Sequence, residues 1–280
     1  MKRSISRAGR PLAFGLLTLG GVSCGGPSVD ASWADHDPNN AERLVHGDWQ
    51  ALLDTYVITD DPSGVYLVDY AALKANEADR QRLDGYIDYL QGLNPRQYAR
   101  DVQMAYWINL YNAVTVKVVL DEYPVDSIKD IHEGLIPGTG PWGDVHAMVG
   151  GQPLTLDNIE HDILRPIWQD NRIHYAVNCA SIGCPNLATD AYTAENLERL
   201  LEQGARDYVN HPRGAELLDE AFGVVSSIYF WYQEDFGDSE AGVLEHLREY
   251  AEGDLAEQLR DFDGSIDHEY DWNLNAPDPR

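Results

Sequence analysis

The order of patterns along this chain predicts an α+β fold, a mainly helical N-terminal half packed on a small, largely antiparallel sheet with further helices. Three observations lead there. Apolar residues recur at helical spacing as far as Tyr123, and short apolar runs punctuated by glycine and proline follow. Nowhere do strand and helix patterns alternate strictly, as a parallel α/β sheet would require.

Taken in order, "AERLVHGDWQALLDTYV" (Ala41–Val57) places Leu44, Val45, Trp49, Leu52 and Leu53 on one helix face. "VDYAALKAN" reads as a short helix capped by Asp69, and "EADRQRLDGYIDYLQGL" as an amphipathic one. Asn94-Pro95 supplies a cap and a first-turn proline for a helix running to about Tyr123. From Met104 to Leu120 that helix is apolar all round, the pattern of an element buried on most sides. Asn109 and Asn112 interrupt it three residues apart. Buried amides must find partners or cost about 1–3 kcal/mol each, so these two are expected to tie down loop backbone or to line a site. After Tyr123, Gly150-Gly151 marks a hairpin, Leu156–Trp168 a helix and "IHYAV" a strand. Thr193 opens another helix, with Asn196 at the reciprocal capping position. Two strands within "AELLDEAFGVVSSI", an aromatic helix "SSIYFWYQEDFG", one or two helices to Phe262 and a last strand in "GSIDHEYDWNLN" complete the chain.

The ends speak to location. Lys2, Arg3, Arg7 and Arg10 precede a short apolar run, so residues 1–23 read as a secretory signal, too short to span a membrane. Val22-Ser23-Cys24 resembles a bacterial lipoprotein processing site with Cys24 lipidated, and residues 24–40 read as a flexible tether. Residues 41–280 are then expected as a single domain in the periplasm or on the outer membrane, touching membrane only through that anchor. The formal net charge of −27 argues against nucleic-acid partners, whose phosphates such a surface repels. A 44% hydrophobic content with 16 tyrosines and 7 tryptophans is enough to fill a core. No phosphate-binding loop, Gly-x-Ser-x-Gly elbow, His-Glu-x-x-His or calcium loop occurs, and no cofactor is expected.

Two stretches can carry chemistry. In "LTLDNIEHDILRPIW", Glu160 falls among Leu156, Ile159, Ile163, Leu164 and Ile167 on an apolar face. A carboxylate there must pair, meet a cavity or stay protonated. It reads either as an acid, base or orienting group, or as half of an ion pair with Arg165 or Arg172. His161 lies on the flank, in an i, i+4 polar row with Asp157 and Arg165. In "IHYAVNCASIGCPNL", strand parity sends His174 and Cys179 to opposite faces, so the chain must turn at Asn178 or Cys179 before one can activate the other. His161 or His146 could serve Cys179 instead. Export favours a Cys179–Cys184 disulfide just as readily. Cys-x4-Cys with one nearby histidine is not a standard zinc spacing, so no metal is expected.

The blocks "YWINLYNAVTV", "LTLDNIEHDILR", "RIHYAVNCASIGCPNL", "YFWYQEDFG" and "YDWNLN" together resemble the DUF547 family, in order from about Gln97 to Asn275. The resemblance implies an exported or lipid-anchored bacterial member and draws attention to Trp107, Asn178, Pro185 and the residues already named, without assigning them roles. The buried asparagine-bearing helix followed by a histidine-bearing sheet also resembles papain-like and transglutaminase-like folds, at the level of architecture only. Two functions are therefore expected. One is a cysteine-dependent hydrolase or acyl-transfer enzyme of the cell envelope, with Cys179 as nucleophile, His174 or His161 as base and Glu160 or Asn109 orienting it. In that reading, backbone amides near Ala180–Gly183 hold the oxyanion. The other is a non-catalytic envelope protein that binds a peptide, glycan or protein, with a Cys179–Cys184 disulfide shaping its loop.

Overall fold

A computed structural model describes residues 31–132 and 138–277. The expected signal segment and Cys24 lie outside the described residues. Part of the expected tether does not behave as one. Residues Ala31–Ala34 form a 3-10 turn, and Trp33, 1% exposed, meets Trp107 edge to face at 5.3 Å. A tryptophan in a spacer buries more apolar area by docking than by staying solvated, so the tail of the spacer is part of the body.

The helical half follows the periodicity, except that Asn94 caps a 3-10 turn, Pro95–Gln97, and the long helix expected from Pro95 begins only at Arg100. Helices α1 (Gly47–Tyr56), α2 (Tyr70–Ala75) and α3 (Glu77–Gln91) surround α4 (Arg100–Glu122), every residue of which from Val102 to Leu120 is buried except Lys117. Asp69 and Asn76 cap α2 and α3 through their side chains. Helix α1 starts later than its apolar spacing suggests, because His46 turns inward to the Tyr86 hydroxyl at 2.7 Å. A two-residue ladder, β1 (Val57–Ile58) with β2 (Leu67–Val68), closes the loop between α1 and α2.

The second half is α+β. Strands β3 (Val145–Val149) and β4 (Gln152–Thr155) form the hairpin expected at Gly150-Gly151, both glycines at positive φ. The segment after the hairpin departs from the expected α-helix. Asn158–Leu164 is π-helical, and only Arg165–Trp168, α5, returns to α geometry. Pro166 has no N–H to donate, and the Arg165 N–H reaches back five residues to the Glu160 carbonyl, the bond of a π turn. The expected strand "IHYAV" is a 3-10 turn, Asn171–Tyr175, capped by the Asp170 carboxylate on the Arg172 N–H. Its β-branched and aromatic residues are buried on both sides, and tertiary packing overrides their strand propensity.

Thr193 and Asn196 exchange side-chain bonds as a reciprocal cap, and α6 (Leu197–Val209) begins one residue after it. Strands β5 (Ala215–Leu217) and β6 (Phe222–Ser226) are antiparallel. Helices α7 (Ile228–Trp231), α8 (Glu240–Tyr250) and α9 (Gly253–Asp261) come next, with a 3-10 turn Gln233–Phe236 after α7. The last strand, β7 (Ser265–Glu269), pairs parallel to β6, reachable because α8 and α9 form the crossover.

Two apolar clusters result. One gathers around α4; the other lies among α6, α8, α9 and the β5–β7 sheet. The 171–175 turn lies between them, with Ile173 in the first and Tyr175 in the second. Gly204 of α6 lets this close approach happen, since a Cβ there would stand 3.1 Å from the Tyr175 carbonyl oxygen. Beyond β7 the chain crosses the cysteine loop: the Ile182 and Gly183 N–H groups donate to the Asn273 and Asp271 carbonyls at 2.8 Å each. No helix among the described residues is long and apolar enough to cross a membrane.

Candidate functional site

The π turn, the 171–187 segment, α7 and the C-terminal crossing converge on a cavity of about 750 Å³, within the size range of small-molecule sites. Glu160, His161, His174, Cys179 and Cys184 all line it. The π turn and the 171–187 segment thus bring together the expected site residues except Asn109 and His146, the latter bonded to the Pro141 carbonyl at 2.9 Å.

Both buried asparagines of α4 act as backbone ties. Asn109 donates to the Tyr192 carbonyl at 2.7 Å and accepts from the Tyr192 N–H at 3.0 Å. Asn112 donates to the Ala176 carbonyl at 2.9 Å and accepts from the Asn178 N–H at 2.8 Å. Asn109 therefore holds the approach to α6 rather than orienting a base. Asn112 fixes the stretch that leads into Cys179.

On one wall, ionised groups form a continuous lattice. Glu160 Oε1 lies 3.7 Å from His174 Nδ1 and 3.9 Å from His161 Nδ1. His174 Nε2 donates to Asp235 Oδ2 at 2.7 Å. Arg165 binds the same Asp235 through Nε at 2.6 Å and Glu234 through Nη2 at 2.6 Å. The Tyr232 ring sits between the His174 ring, stacked at 4.5 Å, and the Arg165 guanidinium, 4.8 Å from its centroid. Burial pushes the Glu160 carboxyl up, but His161, His174 and the Tyr111 hydroxyl outweigh it and hold the group at about 2. Asp235 likewise falls to about 2, against burial, through His174 and Arg165. Burial lowers the His174 imidazole, yet Asp235 and Glu160 prevail and raise it. His174 is enclosed, with both nitrogens committed; it holds Glu160 ionised rather than serving as a free base. His161 differs. Its side chain is 29% exposed, Nε2 lies 3.7 Å from Asp157, and Nδ1 stands between Glu160 and Arg165 Nη1, the latter at 3.2 Å.

The opposite wall is the cysteine loop. The expected turn is present, and Ala180 takes a left-handed φ of 59°, held by a bond from its N–H to Asn178 Oδ1. Such strain in a residue with a Cβ persists only where surroundings enforce it, and here the Asn178 side chain also ties the Pro185 carbonyl. Cys179 Sγ meets hydroxyls, Ser181 Oγ at 3.2 Å and Tyr270 Oη at 3.0 Å, and no hydrogen bond joins it to His161 or His174. Its own N–H donates to Cys184 Sγ at 3.0 Å. Both thiols are free and side by side. The Cys184 side chain lowers the Cys179 thiol, burial opposes this, and Ser181 and Tyr270 add to it. Burial and the neighbouring Cys179 push Cys184 well up. Cys179 is therefore the sulfur that ionises first. Of the expected oxyanion amides, those of Ala180, Ile182 and Gly183 already donate to protein acceptors.

Sequence reasoning missed the residues that complete the cavity: Trp231, Tyr232, Tyr270, Trp272 and, behind His174, Asp235. The signal was present as "YFWYQED" and "YDWN", aromatic runs too dense for an exposed surface, but nothing in them says which cavity they face.

Residues 95–209 match the family model DUF547, described as a protein of unknown function, and the match supports that domain family over those residues. It takes in α4, Glu160, His161, His174 and both cysteines. It ends with α6, so Tyr232, Asp235, Tyr270 and Trp272 lie beyond it. No curated protein and no solved structure matches the chain.

Proposed function

We propose that the cavity is the active site of a cysteine-dependent hydrolase or acyl-transfer enzyme of the cell envelope. The observation that carries this reading is the meeting, on one cavity, of a thiol biased toward ionisation and a buried carboxylate flanked by two imidazoles. The part-exposed His161, its Nδ1 between Glu160 and Arg165 and its Nε2 3.7 Å from Asp157, serves as the base, and His174, backed by Asp235, positions Glu160. The Cys179 sulfur attacks an acyl carbon, its proton passing to His161. The carbon–sulfur bond forms as the bond to the leaving group breaks, and that group departs with the proton. Water or an acceptor amine then attacks the thioester, and the sulfur leaves as the thiol. With the Ala180, Ile182 and Gly183 amides occupied, the Tyr232 and Tyr270 hydroxyls, which line the cavity, are donors for the oxyanion. Export and lipidation at Cys24 are supported by the basic and apolar pattern of residues 1–24.

The test is trapping. Incubation with p-nitrophenyl or thiol esters should place one acyl group on Cys179, read by intact mass and peptide mapping. Unchanged turnover in Cys179→Ser sinks the proposal. So does a Cys179–Cys184 disulfide in the purified protein that ordinary reductants do not open. That last outcome favours the second reading, a binding protein with a structural disulfide, for which the adjacency of the two sulfurs speaks.

A further inference from the structure

The cavity's own chemistry says something about what enters it. Trp142, Trp231, Tyr232, Tyr270 and Trp272 line it, and so do the carboxylates Asp144, Asp157 and Glu160, but among the described residues no lysine or arginine does. Trp142 and Tyr270 stand at an angle to Trp272, while Trp231 lies 27° from Trp272 at 5.5 Å, so the corner is formed by Trp142 and Tyr270 closing on that pair. Trp272 lies 69° from Trp142 at 5.6 Å and 51° from Tyr270 at 4.6 Å, and Tyr270 lies 53° from Trp231 at 4.9 Å. Converging ring faces opposite carboxylates suit a positive charge, because each ring presents a negative face and the acids complete the field. A sugar ring stacks best on one extended face.

Two of these rings already take cations from the protein. Lys129 Nζ stands 4.9 Å from the Trp272 centroid, and Arg165 covers Tyr232 at 4.8 Å. The nearest positive groups are otherwise balanced: Arg165 by Asp235 and Glu234, and His174 by Glu160 and Asp235. The chain's net charge of −27 draws cations toward the surface from a distance. Tyr270 connects this wall to the chemistry, since its hydroxyl bonds both Cys179 Sγ at 3.0 Å and Ser181 Oγ at 2.9 Å.

We infer that the aromatic corner beside Cys179 binds an organic ammonium ion. This rests on the acyl-transfer reading to the extent that it makes the substrate an acyl compound bearing an alkylammonium group near the reacting carbon. The ammonium lies against Trp231, Tyr270 and Trp272 and faces the acidic side of the cavity. The acyl carbon is thereby delivered to the thiol that Tyr270 touches.

Choline and its neutral isostere 3,3-dimethylbutan-1-ol separate charge from shape. Binding is read by tryptophan fluorescence and calorimetry on Cys179→Ser, so that no turnover is required. Saturable choline binding is expected, at least roughly tenfold tighter than that of the isostere, a ratio in line with partly desolvated cation–π contacts. Trp231, 46% exposed, can be replaced without opening the core. Trp231→Leu should weaken choline about tenfold and Trp231→Phe should restore most of it. Equal binding of the two alcohols, absence of choline binding, or preferential binding of neutral chitobiose overturns the inference. The two proposals fail separately. Choline binding in a protein whose Cys179 is never acylated leaves the ammonium site standing and removes the enzyme. Acylation of Cys179 without choline binding does the reverse.

Discussion

The two walls of the cavity are built on opposite principles. The Glu160–His174–Asp235–Arg165 wall is a closed lattice of charges in which each buried ion has at least one opposite partner. The Cys179 wall is held by neutral groups: Asn112, Asn178, Ser181, Tyr270 and the second thiol. A lattice of buried ions is rigid but intolerant, because loss of one member leaves another charge unpaired. A thiol among hydroxyls loses little stability when changed, and its replacement is felt in reactivity. The lattice therefore fixes the shape of the cavity, and on the proposed function the thiol loop carries its reactivity.

Exchange of the proposed nucleophile breaks this contrast most sharply. Cys179→Ser should lower ester turnover by about a thousandfold or more while leaving the thermal midpoint nearly unchanged, as steady-state kinetics and calorimetry will read. A Cys179→Ser protein that unfolds early, or turns over normally, would erase the distinction between the walls. On the charged side the balance reverses. Glu160→Gln should destabilise the fold by about 1–3 kcal/mol in urea unfolding, since His174 keeps Asp235 but loses its second buried counter-charge. A loss below the error of the measurement would mean the lattice is ornamental.

Asn112→Ala tests whether the neutral wall has its own anchor. It strips a partner from the Ala176 carbonyl and the Asn178 N–H, for an expected loss of about 2 kcal/mol. Slower iodoacetamide labelling of Cys179 should accompany it, as the loop shifts from Tyr270. Labelling should also slow in Cys184→Ala, because the Cys184 side chain is the largest influence lowering the Cys179 thiol.

Acid gives the gentlest separation. Burial pushes His46 and His246 down to about 4, the His174 charge adding to the effect on His246, so the unfolded chain binds protons there before the fold does. Stability should fall as pH drops from about 6.5 toward 4 on this account. It should fall again nearer 2, as Glu160 and Asp235, whose folded values lie below their unfolded ones, finally protonate. His174, raised in the fold, contributes stability below its unfolded value that is lost as pH climbs through its folded value. His246→Gln should flatten the first limb in urea midpoints between pH 7 and 5; an unchanged limb would remove His246 from the account.

Much of the molecule is legible before any coordinates. The all-round apolar run from Met104 to Leu120 demands a buried helix, because only burial removes that much apolar surface from water. Asn109 and Asn112 on it must find partners for the same reason, and they take loop backbone. Glu160 among apolar neighbours signals a carboxylate with a special environment. Periodicity went wrong where its assumed period did. The π turn at Asn158–Leu164 arises from a proline and a five-residue bond, and the 3-10 turn at Asn171–Tyr175 from burial on both sides. The parity separating His174 from Cys179 holds only for a strand and so never applied.

Local pattern, then, determined by itself the α+β class, the central helix, the hairpin, the helix caps and the three titratable residues worth watching in the π turn and its successor. Those are short-range matters, set by apolar spacing and by backbone groups that must be satisfied within a few residues. Tertiary structure alone decided that Glu160 sits between two imidazoles, that Asp235 backs one of them, and that Tyr270 and Trp272 come round to meet Cys179. The longest-range of these, His174 with Asp235 and Cys179 with Tyr270, span 61 and 91 positions of chain. No local propensity encodes such distances; they exist only once two apolar clusters have closed on the turn between them.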